Sequence, residues 1–250
     1  MADTDSFRTT YFTFKEFEER EFTSGNKGQV ATQLMAMYRT AVDLESPVIL
    51  ELGTNKGQAT TVFLKACEQT DGQLVSVDIK DCSEVSNDDK WTFIQSDSRD
   101  IEYIFRHAPQ LKNGIDLIYI DSLHVKEQVE SELMTWYPYM KKGSHIYFDD
   151  VDANPCRKGN RKDDFGKEKA WNEIHEFIKS FFHTNEEQLY LNIMYGTTGL
   201  AHLYKISSLG SKPKKAISIK HRGDHFINRS IHWVKKYSFK INRKFKSLWT

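Results

Sequence analysis

The sequence predicts an α/β protein: a doubly wound, mostly parallel seven-stranded sheet that ends in an antiparallel hairpin. Three observations carry that expectation. After Pro47, short apolar runs rich in β-branched residues alternate with helical stretches, the pattern of a sheet covered on both faces. The first five runs each have a carboxylate at or near their carboxyl end, where ligands of open parallel sheets bind. Only residues 195–200 separate the last two runs, too few for a crossover, so those two must pair antiparallel.

The runs read as strands are 48–52, 74–78, 92–95, 115–120, 145–148, 189–194 and 201–206. Ahead of them lie helical patches at 14–22 and 29–44, the second striped by Val30, Leu34, Met37, Tyr38 and Ala41. Between the strands, helices are expected at 59–67, weakly at 83–89, at 100–107 and at 125–140. In the last of these Val125, Val129, Leu133, Trp136 and Met140 share a face. A further amphipathic helix over 167–182 runs through Ala170, Ile174, Phe177, Ile178 and Phe181.

The chain has 250 residues, 39% of them hydrophobic, enough to form a core. Its mean hydropathy is -0.61, and it holds no apolar run long enough to span a bilayer as a helix. The acidic start Met1-Ala2-Asp3-Thr4-Asp5 argues against a secretory leader, and Cys67, Cys82 and Cys156 make neither a disulfide framework nor a paired thiolate site. The expected location is cytoplasmic.

Charge is unevenly placed. Lys+Arg and Asp+Glu both number 35, yet from Ser211 onward twelve basic residues face one acid, Asp224. The shift begins at Gly210-Ser211-Lys212-Pro213, which reads as a linker. Three segments follow: a helical cap over 1–46, a ligand-binding domain over 47–208 and a basic tail over 209–250. In the tail Ile231, Val234, Ser238, Ile241, Phe245 and Leu248 recur at helical spacing among lysines and arginines. Such a helix fits an anionic membrane surface, the acidic body of the chain, or a second copy in a homo-oligomer, to which the N-terminal helices also lend themselves. Nucleic acid is disfavoured as a partner because no reader motif accompanies the basic residues.

The residues after each strand carry the chemistry. Gly53 and Gly57 flank a tight turn, but Asn55 and Gln58 interrupt the dinucleotide fingerprint and Gly57-Gln58-Ala59 is not a phosphate loop. With Glu51 close by, the turn suits an amine or a cation rather than a pyrophosphate. Asp78 stands where nucleoside-binding sheets carry an acid for ribose hydroxyls, and Asp97-Ser98 where an adenine amino group is accepted. Capping of the following segments explains both acids equally well.

Taken in order, Glu51-Leu52-Gly53-x-x-x-Gly57, Ser76-Val77-Asp78, Gln95-Ser96-Asp97-Ser98, the run 115–121 ending in Asp121, and Phe148-Asp149-Asp150 resemble the motifs of class I S-adenosylmethionine-dependent methyltransferases, over residues 47–206. The resemblance implies their Rossmann-like fold and S-adenosylmethionine as cofactor. It puts Glu51 near the methionine amino group, Gly53, Thr54, Gly57 and Asp121 along the cofactor, Asp78 on the ribose, and Asp97 and Ser98 at the adenine. Asn55 replaces the family's middle glycine.

The fourth and fifth strands are expected side by side, about 4.8 Å apart, so Asp121 and the pair Asp149-Asp150 can surround one point. Carboxylates so gathered require a cation or protons, and an all-oxygen set favours Mg²⁺, Mn²⁺ or Ca²⁺ over zinc. A solvated acidic loop through Asp152 is the competing account. The pattern is similar to divalent-metal-dependent O-methyltransferases. Asp149-Asp150, where the catechol branch carries Asp-Asn, points to the sugar-modifying branch, in which His124 would be the base.

No better site is offered elsewhere. His175-Glu176 lacks a second histidine four residues on, His221 and His225 sit in the basic tail, and there is no Gly-x-Ser-x-Gly elbow. Arg157, Lys158, Arg161 and Lys162, in the loop 151–166, suit an anionic substrate or simply a solvated surface. The function expected is Mg²⁺-dependent O-methylation of a sugar hydroxyl in a glycan or glycosylated metabolite. The alternatives are a metal-independent methyltransferase and a non-catalytic nucleoside-binding module with a membrane- or partner-binding tail.

Overall fold

The computed structural model describes residues 13–218. The expected tail helix and the polar start of the chain lie outside the described residues. One compact unit reaches Ala216, and Ile217 begins a second.

Seven strands form one sheet: β1 (Val48–Leu52), β2 (Gln73–Asp78), β3 (Trp91–Gln95), β4 (Ile115–Ile120), β5 (Met140–Asp149), β6 (Leu189–Met194) and β7 (Leu200–Lys205). Their order is β3-β2-β1-β4-β5-β7-β6. The first five are parallel, while β7 runs antiparallel to both β5 and β6, as the short 195–200 connection requires.

Strand side chains alternate faces, and both faces are buried, hence the near-continuous apolar runs. Ile49, Leu74, Leu117, Tyr119 and Tyr147 point toward α1 (Phe14–Arg20), α2 (Asn26–Val42) and α3 (Gln58–Thr70). Leu50, Leu52, Val75, Val77, Ile118 and Phe148 point toward α4 (Ile101–His107), α5 (Lys126–Trp136) and α6 (Phe165–Thr184). Thr13 caps α1 in a reciprocal box with Glu16, and Asp100 and Asp164 accept from the first turns of α4 and α6.

The differences from expectation have local causes. The helix expected over 125–140 stops at Trp136, because Pro138 turns the chain through a 3-10 segment, and Met140 already belongs to β5. The weak helix at 83–89 is only a 3-10 turn over Ser83–Val85, since the side chains of Asp81, Ser86 and Asp88 accept from backbone N–H groups two residues on. The stretch read as a linker is tied down: Gly210 N donates to Pro138 O, and Lys214 exchanges two hydrogen bonds with Asn185. Among the described residues no helix is long and apolar enough to cross a membrane.

Candidate active site

The carboxyl ends of β1, β2, β4 and β5 open onto a cavity of about 650 Å³ lined by Gly53, Asp78, Ser98, Asp121, His124 and Asp149, among others. Its floor is built by close backbone approach. Gly53 N donates to Val77 O, Asp121 N donates to Leu52 O, and Gly53 adopts φ +98°. A Cβ at Gly53 would lie 2.2 Å from the Asp121 carbonyl oxygen, so no side chain fits there. Gly57 takes φ +75° as the N-cap of α3. Asn55 sits at φ +46°, a left-handed conformation that asparagine tolerates better than other non-glycine residues. The turn is therefore closed at this position without a glycine.

Asp78 clamps the turn. Its carboxylate accepts from the backbone N–H groups of Thr54 and Asn55 at 2.9 and 3.0 Å and from Lys80 N at 2.9 Å. Amides that a pyrophosphate would need are therefore already taken. Glu51 turns the other way: it is buried and accepts from the hydroxyls of Thr60 and Ser76, and desolvation pushes its pKa up to about 7. It lines a second cavity, of about 390 Å³, together with Gln33 and Met37 of α2, Thr54, Lys162 and Thr198. Gly53, Asp121 and Asp149 border both cavities. Thr54 Oγ1 is buried in that wall without a hydrogen-bond partner, an unmet polar group of the kind a bound ligand satisfies.

Asp97 and Ser98 both reach the larger cavity but are differently placed. The Asp97 carboxylate is gripped by the Arg99 guanidinium and backbone N–H, which lower its pKa. Ser98 is buried against α5, its hydroxyl on Glu132.

At the rim, the acids of β4 and β5 come together. Asp121 accepts from the Tyr119 hydroxyl at 3.1 Å, and Asp149 from Thr198 at 2.9 Å. Asp150 adopts φ +56°, a left-handed turn that breaks strand alternation, so consecutive carboxylates face the same cavity. Burial, with the mutual repulsion of these acids, raises Asp121 well above the carboxylate range and Asp149 to about 6. His124 Nδ1 lies 2.9 Å from Asp150 Oδ2 and 3.8 Å from Asp121 Oδ1, and the Asp150 hydrogen bond raises its pKa.

In charge and donor chemistry the three carboxylates suit a hard dication. Among the described residues, however, no three His, Cys, Asp or Glu side chains are already arranged to hold an ion. Of the basic residues in the loop 151–166, Lys162 alone lines either cavity, with its ammonium 4.5 Å from the Trp171 ring centroid. Sequence reasoning missed Gln128, which lines the cavity, and Glu132 behind it. The available signal was a carboxylate at position 132, flanked by the apolar stripe positions 129, 133 and 136.

The fold is one that solved methyltransferases share. Residues 50–151 match a family profile described as a methyltransferase domain. The fold is shared with MycE, a methyltransferase from the mycinamycin biosynthetic pathway solved with Mg, SAH and mycinamycin VI; the TM-score is 0.53 at 17% identity, covering 81% of this chain and 57% of that one. It is shared too with the SAH-bound Podospora anserina methyltransferase PaMTH1 (TM-score 0.55, 14% identity, 76% and 86% covered) and a putative rRNA-methylase of Clostridium thermocellum (0.52, 13%, 75% and 99%). Acceptors as different as these names imply show that the fold does not choose the substrate. A curated relative, the uncharacterized protein R132 of Acanthamoeba polyphaga mimivirus, is 41% identical over 49 residues, 20% of this chain and 22% of that protein. The chain thus spans little more than half of MycE and about a fifth of the viral relative.

Proposed function

We propose that this chain is an S-adenosylmethionine-dependent O-methyltransferase that uses a divalent cation, Mg²⁺ above all, to methylate a sugar hydroxyl of a glycan or glycosylated metabolite. The observation that carries the reading is the meeting of Asp121, Asp149, Asp150 and His124 on the larger cavity, where Asp121 and Asp149 also border the smaller one. MycE, with the same fold, was solved with Mg, SAH and mycinamycin VI together, which supports the reading.

The residues divide the work. Gly53 and Asp78 line the larger cavity, read as the cofactor's, with Thr54 in the wall of the adjoining one, and Ile79 and Leu123, large apolar side chains left 71% and 60% exposed beside the larger, offer surfaces to a planar base. The donor supplies an electrophilic methyl group on a sulfonium, and a dication held by Asp121, Asp149 and Asp150 would supply charge neutralisation and a lower pKa for a nearby hydroxyl. In its neutral form His124 donates Nδ1–H to Asp150 and has an Nε2 lone pair to take the acceptor's proton, and the hydrogen bond that raises its pKa makes it the stronger base. As the oxygen attacks, the S–CH₃ bond breaks with its electron pair left on sulfur, so holding donor and acceptor in line is the protein's main contribution.

A metal-independent reaction is the second reading, favoured by one observation: Asp150 is already engaged by His124. Turnover of S-adenosylmethionine against nucleotide sugars and glycosides, with Mg²⁺ or a chelator, separates the two. Methylation that stops on chelation while S-adenosylhomocysteine still binds supports the metal-dependent enzyme. Full turnover in chelator establishes the second reading, and no cofactor binding at all defeats both.

A further inference from the structure

Behind the cofactor cavity lies a buried carboxylate that the methyl-transfer chemistry does not use. Glu132, on α5, is 0% exposed. Its Oε1 accepts from Ser98 Oγ, Ser122 Oγ and Gln128 Nε2, and its Oε2 has no partner. Ser98, Ser122 and Gln128 all line the cavity.

This arrangement decides which hydrogen-bonding groups the wall presents. A hydroxyl has one proton, and those of Ser98 and Ser122 are spent on Glu132. Gln128 turns its amide nitrogen to Glu132 Oε1 at 2.9 Å and Ser98 Oγ at 3.1 Å. The flipped amide would set oxygen against a carboxylate oxygen, so the orientation is dictated, and the Gln128 carbonyl is left for the cavity. A proton on Oε2 would leave this pattern unchanged, because Oε1 still only accepts. Asp97, the obvious acceptor nearby, is occupied by Arg99.

We infer that Glu132 acts as a positioning residue that leaves the Ser98, Ser122 and Gln128 side chains able to accept from the cavity but not to donate to it, so that Gln128 and Ser98 select a nucleoside with a 6-amino purine over its 6-oxo counterpart. The inference rests on reading the cavity as the S-adenosylmethionine site. A 6-oxo purine turns an acceptor toward the same wall and is left facing unpaired oxygens.

The test is calorimetric binding of S-adenosylhomocysteine and S-inosylhomocysteine to the full chain. The wild type should prefer the adenosine compound by about tenfold or more, the worth of one good hydrogen bond. Gln128→Met, at a half-buried site that need not disturb the fold, should cut that preference to within about threefold by weakening only the adenosine compound. Glu132→Gln, which brings a donor to Ser98 and Ser122, should narrow it in the same way. A merely structural role would weaken both ligands alike and keep their ratio. Equal binding by the wild type, or a ratio unchanged in Gln128→Met, overturns the inference. Failure of the wild type to bind S-adenosylhomocysteine overturns the cofactor reading itself, a distinct result.

Discussion

His124 Nδ1 stands 2.9 Å from Asp150 Oδ2, a contact that joins the loop after β4 to the turn after β5. It orients a half-exposed imidazole over the cavity edge and selects the tautomer with a free Nε2. His124→Ala should therefore lower turnover by about 10²–10⁴-fold, the usual worth of a positioned general base. Calorimetric affinity for S-adenosylhomocysteine should stay within about twofold. Unchanged turnover would remove His124 from the chemistry.

Asp149 provides a test of the cation that does not need an acceptor. Its pKa is raised to about 6 by burial and by Asp150, so the folded protein binds more protons than the unfolded chain between about pH 4 and 6. Ion-free stability should fall as pH rises through that window, by up to about 3 kcal/mol. Mg²⁺ should restore it above pH 6 as a higher Tm, and Asp149→Asn should abolish the Mg²⁺ response and make the pH slope shallower, leaving the share that the raised Asp121 and Glu51 contribute. A Tm insensitive to Mg²⁺ in the wild type would count against the cation.

The turn at 53–57 gives opposite expectations at two positions. Gly53→Ala combines a positive φ with a Cβ 2.2 Å from the Asp121 carbonyl oxygen, and should cost on the order of 3 kcal/mol together with cofactor binding. Asn55→Gly, at φ +46°, should change stability by less than about 1 kcal/mol. Denaturant melts of both variants check the pair, and equal effects would show that backbone approach is not what the glycine serves.

A histidine pair on the sheet supplies an acid response away from the site. His145 Nδ1 and His202 Nε2 are 2.8 Å apart, their rings stack, and Tyr147 also stacks on His202. A short N···N contact needs one nitrogen without a proton, and burial holds His202 at about 4. The unfolded chain therefore binds more protons between about pH 6.5 and 4. The pair's stabilisation is complete above 6.5 and is lost as pH falls through that window, at most about 3 kcal/mol. His202→Phe should flatten the slope of Tm with pH in that range, whatever it does to Tm at pH 8.

Much of the candidate site was legible because strand ends announce themselves. Gly53, Gly57, Asp78, Ser98, Asp121, His124, Asp149 and Asp150 all gather at the carboxyl edge of the sheet, since each follows an apolar run whose period marks it as a strand. Direction was not legible. Glu51 follows the same logic yet points inward to Thr60 and Ser76, and Asp97 reaches the cavity already paired with Arg99. Glu132 was hidden because its partners Ser98 and Ser122 lie 34 and 10 positions away.

The order of strands and helices, the antiparallel close and the set of acids were the sequence's own doing, since hydrophobic period and connection length act along the chain and need no partner to be read. Tertiary structure alone decided which carboxylates meet. The left-handed backbone at Asp150 turns two successive acids to one side, the bare Cα of Gly53 lets β1 touch Asp121, and α5 brings a buried glutamate behind the cavity wall. Those are through-space relationships set by loop dihedrals and packing, and neighbouring residues along the chain do not specify them.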